Sequence, residues 1–164
     1  MTRDEGIRED LMAEATALVR RAEFKATDGR IELVAGYRRD GSLSLYFGQD
    51  PVYQFDPIGR LKRAFVDGLL YRTQGSTLAR LTRDRSTPDR VSLLRHDLDG
   101  DELDSFQRSM IDRMVGLLEE LDSGRLNQSA AVPESADVSR ELISALQVVL
   151  ASGEWLAPPF AGKR

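Results

Sequence analysis

Four turn signals follow one another between residues 40 and 76 of this chain: Asp40-Gly41, the four residues Asp56 to Gly59, Asp67-Gly68 and the Gln74-Gly75-Ser76 stretch. The runs between them are short and rich in Val, Leu, Tyr and Phe, too brief for helices and bounded as strands are. Asp-Gly readily supplies the positive φ angles of a tight hairpin. Connections this short leave sequence neighbours no choice but to pair antiparallel. The spacing predicts strands at about 30–38, 42–47, 52–55, 60–66, 69–73, 77–83 and 90–96, hence an antiparallel β-meander of five to seven strands.

Helical periodicity flanks this region on both sides. Ile7, Leu11, Ala15, Leu18 and Ala22 recur at helical spacing behind a Thr2/Glu5 capping-box pattern, which predicts an amphipathic helix over about 3–25, stopped by Asp28-Gly29. Leu103, Phe106, Met110, Met114, Leu117 and Leu121 mark one face of a second helix at about 100–123. The segment 124–135, "GRLNQSAAVPES", reads as a mobile linker. Val138, Leu142, Ala145, Leu146 and Val149 then predict a helix at about 136–151, with Gly153 as its stop. The expected fold class is α+β: the meander packed by an N-terminal helix and one or two C-terminal helices. Residues 1–123 form the single domain, and 136–164 attach to it or to a partner. In the tail, Trp155 and Phe160 are large enough to seal a core edge or an interface.

The chain has 164 residues, enough to bury one core without a staple. It contains no cysteine, which excludes disulfides, thiolate metal sites and cysteine nucleophiles. Neither a signal-peptide run nor an apolar stretch of membrane-spanning length stands out, so a cytoplasmic protein without membrane contact is expected. The formal charge of −4 argues against nucleic acid as partner. Its distribution is uneven: residues 1–29, 30–96 and 97–164 carry nets of −2, +5 and −7.

The stretch "YQFDPIGRLKRAFVDGLLYR", 53–72, concentrates the basic charge. A two-residue turn at Asp67-Gly68 pairs Val66 with Leu69, Phe65 with Leu70, Ala64 with Tyr71 and Arg63 with Arg72. Two arginines are thereby directly opposed, a destabilising arrangement unless something negative lies between them. The carboxylates expected to do so belong to the acidic helices at 100–123 and 136–151. Failing that, Arg63 and Arg72, with Phe65 as apolar neighbour, form a candidate site for a phosphate, a carboxylate or an acidic partner, held through forked hydrogen bonds. The nonamer "YQFDPIGRL" also resembles one unit of the YD repeats of large bacterial shell and toxin-delivery proteins, with Phe55 standing where that pattern has its second tyrosine. The resemblance covers nine residues and implies hairpin architecture, not catalysis.

Asp97, Asp99 and Asp101 occupy the first three ligand positions of an EF-hand loop, but Glu102 stands where the turn needs glycine and Arg108 where a glutamate should close the site. Helix capping explains these residues better: Asp99 as N-cap, Glu102 completing the box, Leu98 stapled to Leu103. His96, the only histidine, adjoins Asp97 on a strand, where neighbours point to opposite faces and cannot form an oriented pair. Gly-rich phosphate loops, a nucleophile elbow and metal-spaced histidines do not occur. These readings predict no catalytic residue, metal or cofactor. They favour a non-catalytic protein-interaction or structural module, self-associating or bound to another protein, with anion or small-ligand binding as the alternative.

Overall fold

The computed structural model describes residues 9–49, 51–74, 77–83 and 93–152. The Thr2/Glu5 box, the Gly75-Ser76 turn, and Trp155 and Phe160 lie outside them. A single antiparallel sheet of nine strands organises the fold, in the order β8-β7-β6-β5-β4-β3-β2-β1-β9. The strands are β1 Arg20–Ala26, β2 Ile31–Tyr37, β3 Leu43–Phe47, β4 Val52–Phe55, β5 Leu61–Val66, β6 Leu69–Gln74, β7 Thr77–Arg83, β8 Leu93–Asp97 and β9 Leu126–Val132. Three helical segments accompany it: α1 at residues 9–13, continued by a 3-10 turn over Glu14–Ala17, then α2 Gly100–Ser123 and α3 Val138–Ser152. The fold is thus α+β and the sheet a meander through β8, with more strands than the turn signals alone supply.

Two of the added strands correct the sequence reading. Helical structure was expected over 3–25, yet Arg20–Ala26 is strand β1. Its Arg, Ala and Glu residues are good helix formers, but Ala22 and Phe24 alternate with charged neighbours and are buried against the helices, 1% and 0% exposed. Burial of a period-two face outweighs local propensity here. The supposed linker at 124–135 contains β9, which pairs antiparallel with β1 from Leu126 opposite Ala26 to Val132 opposite Arg21. Its small polar residues have weak strand preference, and the strand forms because the outer edge of β1 offers a template.

Of the turns, Asp67 (φ 53°) and Gly68 (φ 78°) adopt the left-handed pair of a type I′ hairpin, and the register is Arg63 opposite Arg72, Ala64 opposite Tyr71, Phe65 opposite Leu70 and Val66 opposite Leu69. At α2, the Asp99 side chain accepts from the Glu102 N–H at 2.8 Å while the Glu102 carboxylate accepts from the Asp99 N–H at 3.1 Å, a closed capping box. Gly124 ends that helix at φ 79°. Asp137 caps α3 through the Arg140 N–H, and Gln128 of β9 ties the start of the same helix down, donating to the Ala136 carbonyl and accepting from the Ser139 N–H.

Both faces of the sheet are used. The main core lies between one face, carrying Phe24, Leu33, Leu45, Tyr53 and Phe55, and the buried sides of α2 (Phe106, Met110, Met114, Leu117) and α3 (Val138, Leu142, Leu146). Tyr71 and Phe106 meet there at 4.9 Å between ring centres. The opposite face carries two parallel cross-strand rows. One is apolar, Val34–Tyr46–Val52–Phe65–Leu70–Leu81; the other is Gly36–Ser44–Gln54–Arg63–Arg72–Ala79. Leu11, Met12, Ala15 and Leu18 of the N-terminal segment cover the apolar row and form with it a second, separate core cluster.

Candidate functional site

The second row places polar groups where a strand would otherwise carry apolar ones. Ser44 is 0% exposed and Gln54 6%, so both are committed to the interior while sitting beside two arginines. Around them Arg38, Ser42, Lys62, Arg63, Arg72 and Thr73 line a pocket of about 370 Å³ at the end of the sheet nearest the β2–β3 turn. The Asp40-Gly41 turn (φ 90° at Gly41) delivers Arg38 and Ser42, and a bulge in the β4–β5 pairing next to Phe55 leaves Lys62 without a cross-strand partner in that register.

One carboxylate enters this arrangement. Glu14 Oε1 accepts from Arg38 at 2.6 Å, from Arg63 at 2.5 Å and from Gln54 Nε2 at 3.3 Å. Gln54 in turn accepts from Arg63 Nε at 2.7 Å, and its amide nitrogen also lies 3.3 Å from the Tyr46 hydroxyl. Only one orientation of that amide suits neighbours of both kinds. The opposed arginines are thus reconciled: Arg63 turns to Glu14 and Gln54, while Arg72 makes no ion pair among the described residues. The carboxylate was expected from the acidic helices at 100–123 and 136–151. Those helices pack on the other face of the sheet, and the acid comes from the N-terminal segment instead.

Four cations therefore line a pocket whose Arg38 and Arg63 are engaged by Glu14, while Asp40 stands in the adjoining turn. Asp40 is held below its ordinary range first by the Ser42 N–H, then by the Ser42 hydroxyl beside it, with Lys62 and Arg38 adding to the effect. The Ser42 hydroxyl thus has a charged neighbour, though no hydrogen bond of normal geometry. The Ser44 hydroxyl is buried and has no hydrogen-bond partner among the described residues. A buried hydroxyl left unmatched costs about 1–3 kcal/mol, so such groups normally mark a place where something polar belongs. No protein-family model, curated protein or solved structure matches this chain.

Phe65, grouped with the arginines on sequence, shares their face but stands one row away, 2% exposed beneath the N-terminal segment. Glu14, Arg38, Ser44, Gln54 and Lys62 escaped sequence reasoning. A signal for the middle of the row was present, because Ser and Gln at inward positions of otherwise apolar strands are exceptions that ask for a reason.

Elsewhere, His96 and Asp97 point to opposite faces. His96 Nε2 lies 3.3 Å from Glu102, whereas Asp97 accepts from Arg95 at 2.8 Å. The Asp99 N–H first, and His96 and Arg80 after it, hold the Glu102 carboxyl low. Among the described residues no three His, Asp or Glu side chains are grouped to hold a metal ion. A larger open cleft of about 1590 Å³ runs between α2 and the far ends of β1 to β3, with Arg113 stacked over Phe47 at 5.4 Å. Its charged lining mixes both signs, including Lys25, Arg108, Glu119 and Glu120. Among the described residues no helix is long and apolar enough to cross a membrane.

Proposed function

We propose that this protein is a non-catalytic binding module whose pocket at Arg63 and Arg72 takes an oxyanion, a phosphoryl or carboxylate group of a small ligand. The observation that carries this reading is the gathering of Arg38, Lys62, Arg63 and Arg72 around one pocket, where Arg72 makes no ion pair among the described residues. Arginine forks and hydroxyl donors are the groups that hold oxyanions by charge-assisted hydrogen bonds. The nearby carboxylate of Glu14 is engaged by Arg38, Arg63 and Gln54 and not by a hydroxyl, so the site favours holding a ligand over activating a nucleophile.

The test is the thermal midpoint of the full chain in inorganic phosphate, sulfate, a nucleoside monophosphate or chloride at matched ionic strength. Ligand at a hundredfold excess over its Kd stabilises by about 2.7 kcal/mol, and for a chain of this length that is a rise of roughly 5–11 °C. The Arg63→Ala/Arg72→Ala double variant should lose the rise. Equal midpoints in all four salts, or a rise that survives the double substitution, would overturn the assignment.

A further inference from the structure

We infer that the N-terminal segment is a built-in competitor of that pocket: Glu14 holds the place of the incoming oxyanion, and binding of the anion releases residues 9–17 from the sheet. The inference rests on the anion-binding reading and concerns its regulation. Glu14 Oε1 already accepts from one terminal nitrogen of Arg38, one of Arg63 and the amide of Gln54, and all three of these residues also line the pocket. A ligand oxyanion that claims the same donors must displace this carboxylate or stand beside it as a like charge. Arg38, Arg63 and Glu14 each keep only about a third of their side-chain surface in solvent, at 34%, 29% and 31%, so water screens such a repulsion incompletely.

The segment is built to leave without taking the fold with it. Among the described residues it consists of five helical residues and one 3-10 turn, which carries no side-chain cap. Among the described residues its hold on the sheet is Glu14, the Leu18 carbonyl that accepts from Arg21, and the side chains of Leu11, Met12, Ala15 and Leu18, whose apolar cluster is separate from the core beneath α2 and α3. Elements with few buried apolar contacts open locally at lower free energy than the global transition. The sheet, joined to the chain through the Val19 N–H and the Tyr37 carbonyl at 2.8 Å, keeps all its strands when the segment lifts. Anion binding then bares Tyr46, Val52 and Phe65, and converts occupancy of a polar pocket into exposure of an apolar row.

Thermodynamic linkage makes the relation reciprocal: whatever weakens the hold of Glu14 must strengthen the anion by the same factor, and couplings of this kind typically amount to 5–150-fold. The experiment titrates inorganic phosphate calorimetrically into the wild-type full chain, the Glu14→Gln variant and the Arg63→Ala/Arg72→Ala variant. Amide exchange over residues 9–18 is followed with and without saturating phosphate. Binding about tenfold tighter in Glu14→Gln, with faster exchange of the wild-type segment when phosphate is bound, is the expected result. Equal or weaker binding in Glu14→Gln overturns the inference, as does wild-type exchange that phosphate leaves unchanged or slows. In those cases the anion-binding reading still stands if the double arginine variant loses binding. Absence of phosphate binding in all three chains overturns both.

Discussion

Gly36 is the penultimate residue of β2, opposite Arg21 of β1 on one side and Ser44 of β3 on the other. A Cβ at this position would stand 2.1 Å from the Arg20 carbonyl oxygen, 2.7 Å from the Arg21 Cα and 2.8 Å from the Arg21 Cβ. Comfortable contact between non-bonded carbons begins at about 3.5 Å, so Gly36→Ala forces β1 to retreat by about 1 Å. That strand has nowhere to go: Ala22 and Phe24 are fully buried against the helices, and β9 pairs along its other edge. Overpacking a core costs about 1–3 kcal/mol when side chains can give way. Here two of the three opposing atoms are backbone, which places the cost at about 3 kcal/mol, a large part of the 5–15 kcal/mol that holds a typical domain together. Thermal and urea unfolding followed by far-ultraviolet dichroism should show a midpoint lower by roughly 6–12 °C. Stability within about 0.5 kcal/mol of wild type would refute the claim that β1 and β2 touch backbone to backbone at this point.

Gly116 gives the opposite sign. It lies inside α2, where a Cβ would meet nothing within 4 Å, so Gly116→Ala should gain the helix-propensity difference of about 0.8–1 kcal/mol and raise the midpoint by roughly 2–4 °C; a lower midpoint would mean that the position is occupied. Asp40 supplies a pH dependence. Because its folded pKa is lowered from 3.8, first by the Ser42 N–H, its contribution is present above that value and is lost as pH falls through the lower folded one. The stability difference between wild type and Asp40→Asn should therefore shrink as pH falls below 3.8 in thermal scans, and a gap of constant size would exclude this role for the turn carboxylate.

Legibility followed the range of the forces involved. The Asp67-Gly68 hairpin was readable to the residue because a two-residue turn sets register by itself, and with it the opposition of Arg63 and Arg72. The capping box at Asp99 and Glu102 and the apolar stripe of α2 are readable for the same reason, since both rest on residues three or four apart in the chain. β1 was hidden because Arg, Ala and Glu suit a helix equally well until Phe24 has a core to enter. β9 was hidden more deeply, as nothing local favours "LNQSAAV" over a linker until the edge of β1 exists. The pocket depended on still more: Ser44, Gln54, Arg63 and Arg72 come into line only when three successive registers are known, and Glu14 arrives from outside the sheet altogether.

The pairing of β1 with β9 also has a consequence in time. Each strand from β2 to β8 can zip onto its predecessor soon after it leaves the ribosome, but the outer edge of β1 waits for a partner that ends at Val132. At about 5–20 residues per second, roughly a hundred intervening residues mean a wait of about 5–20 s with one row of backbone donors and acceptors open. Closing a loop of that length costs about 4 kcal/mol of chain entropy, so β9 does not arrive early. The strand that must wait reads Arg20-Arg21-Ala22-Glu23-Phe24-Lys25-Ala26, charged at four of its seven positions. Charge on an open edge discourages pairing with a foreign strand. The composition that disguises β1 as a helix is thus also one suited to an edge that must wait unpaired.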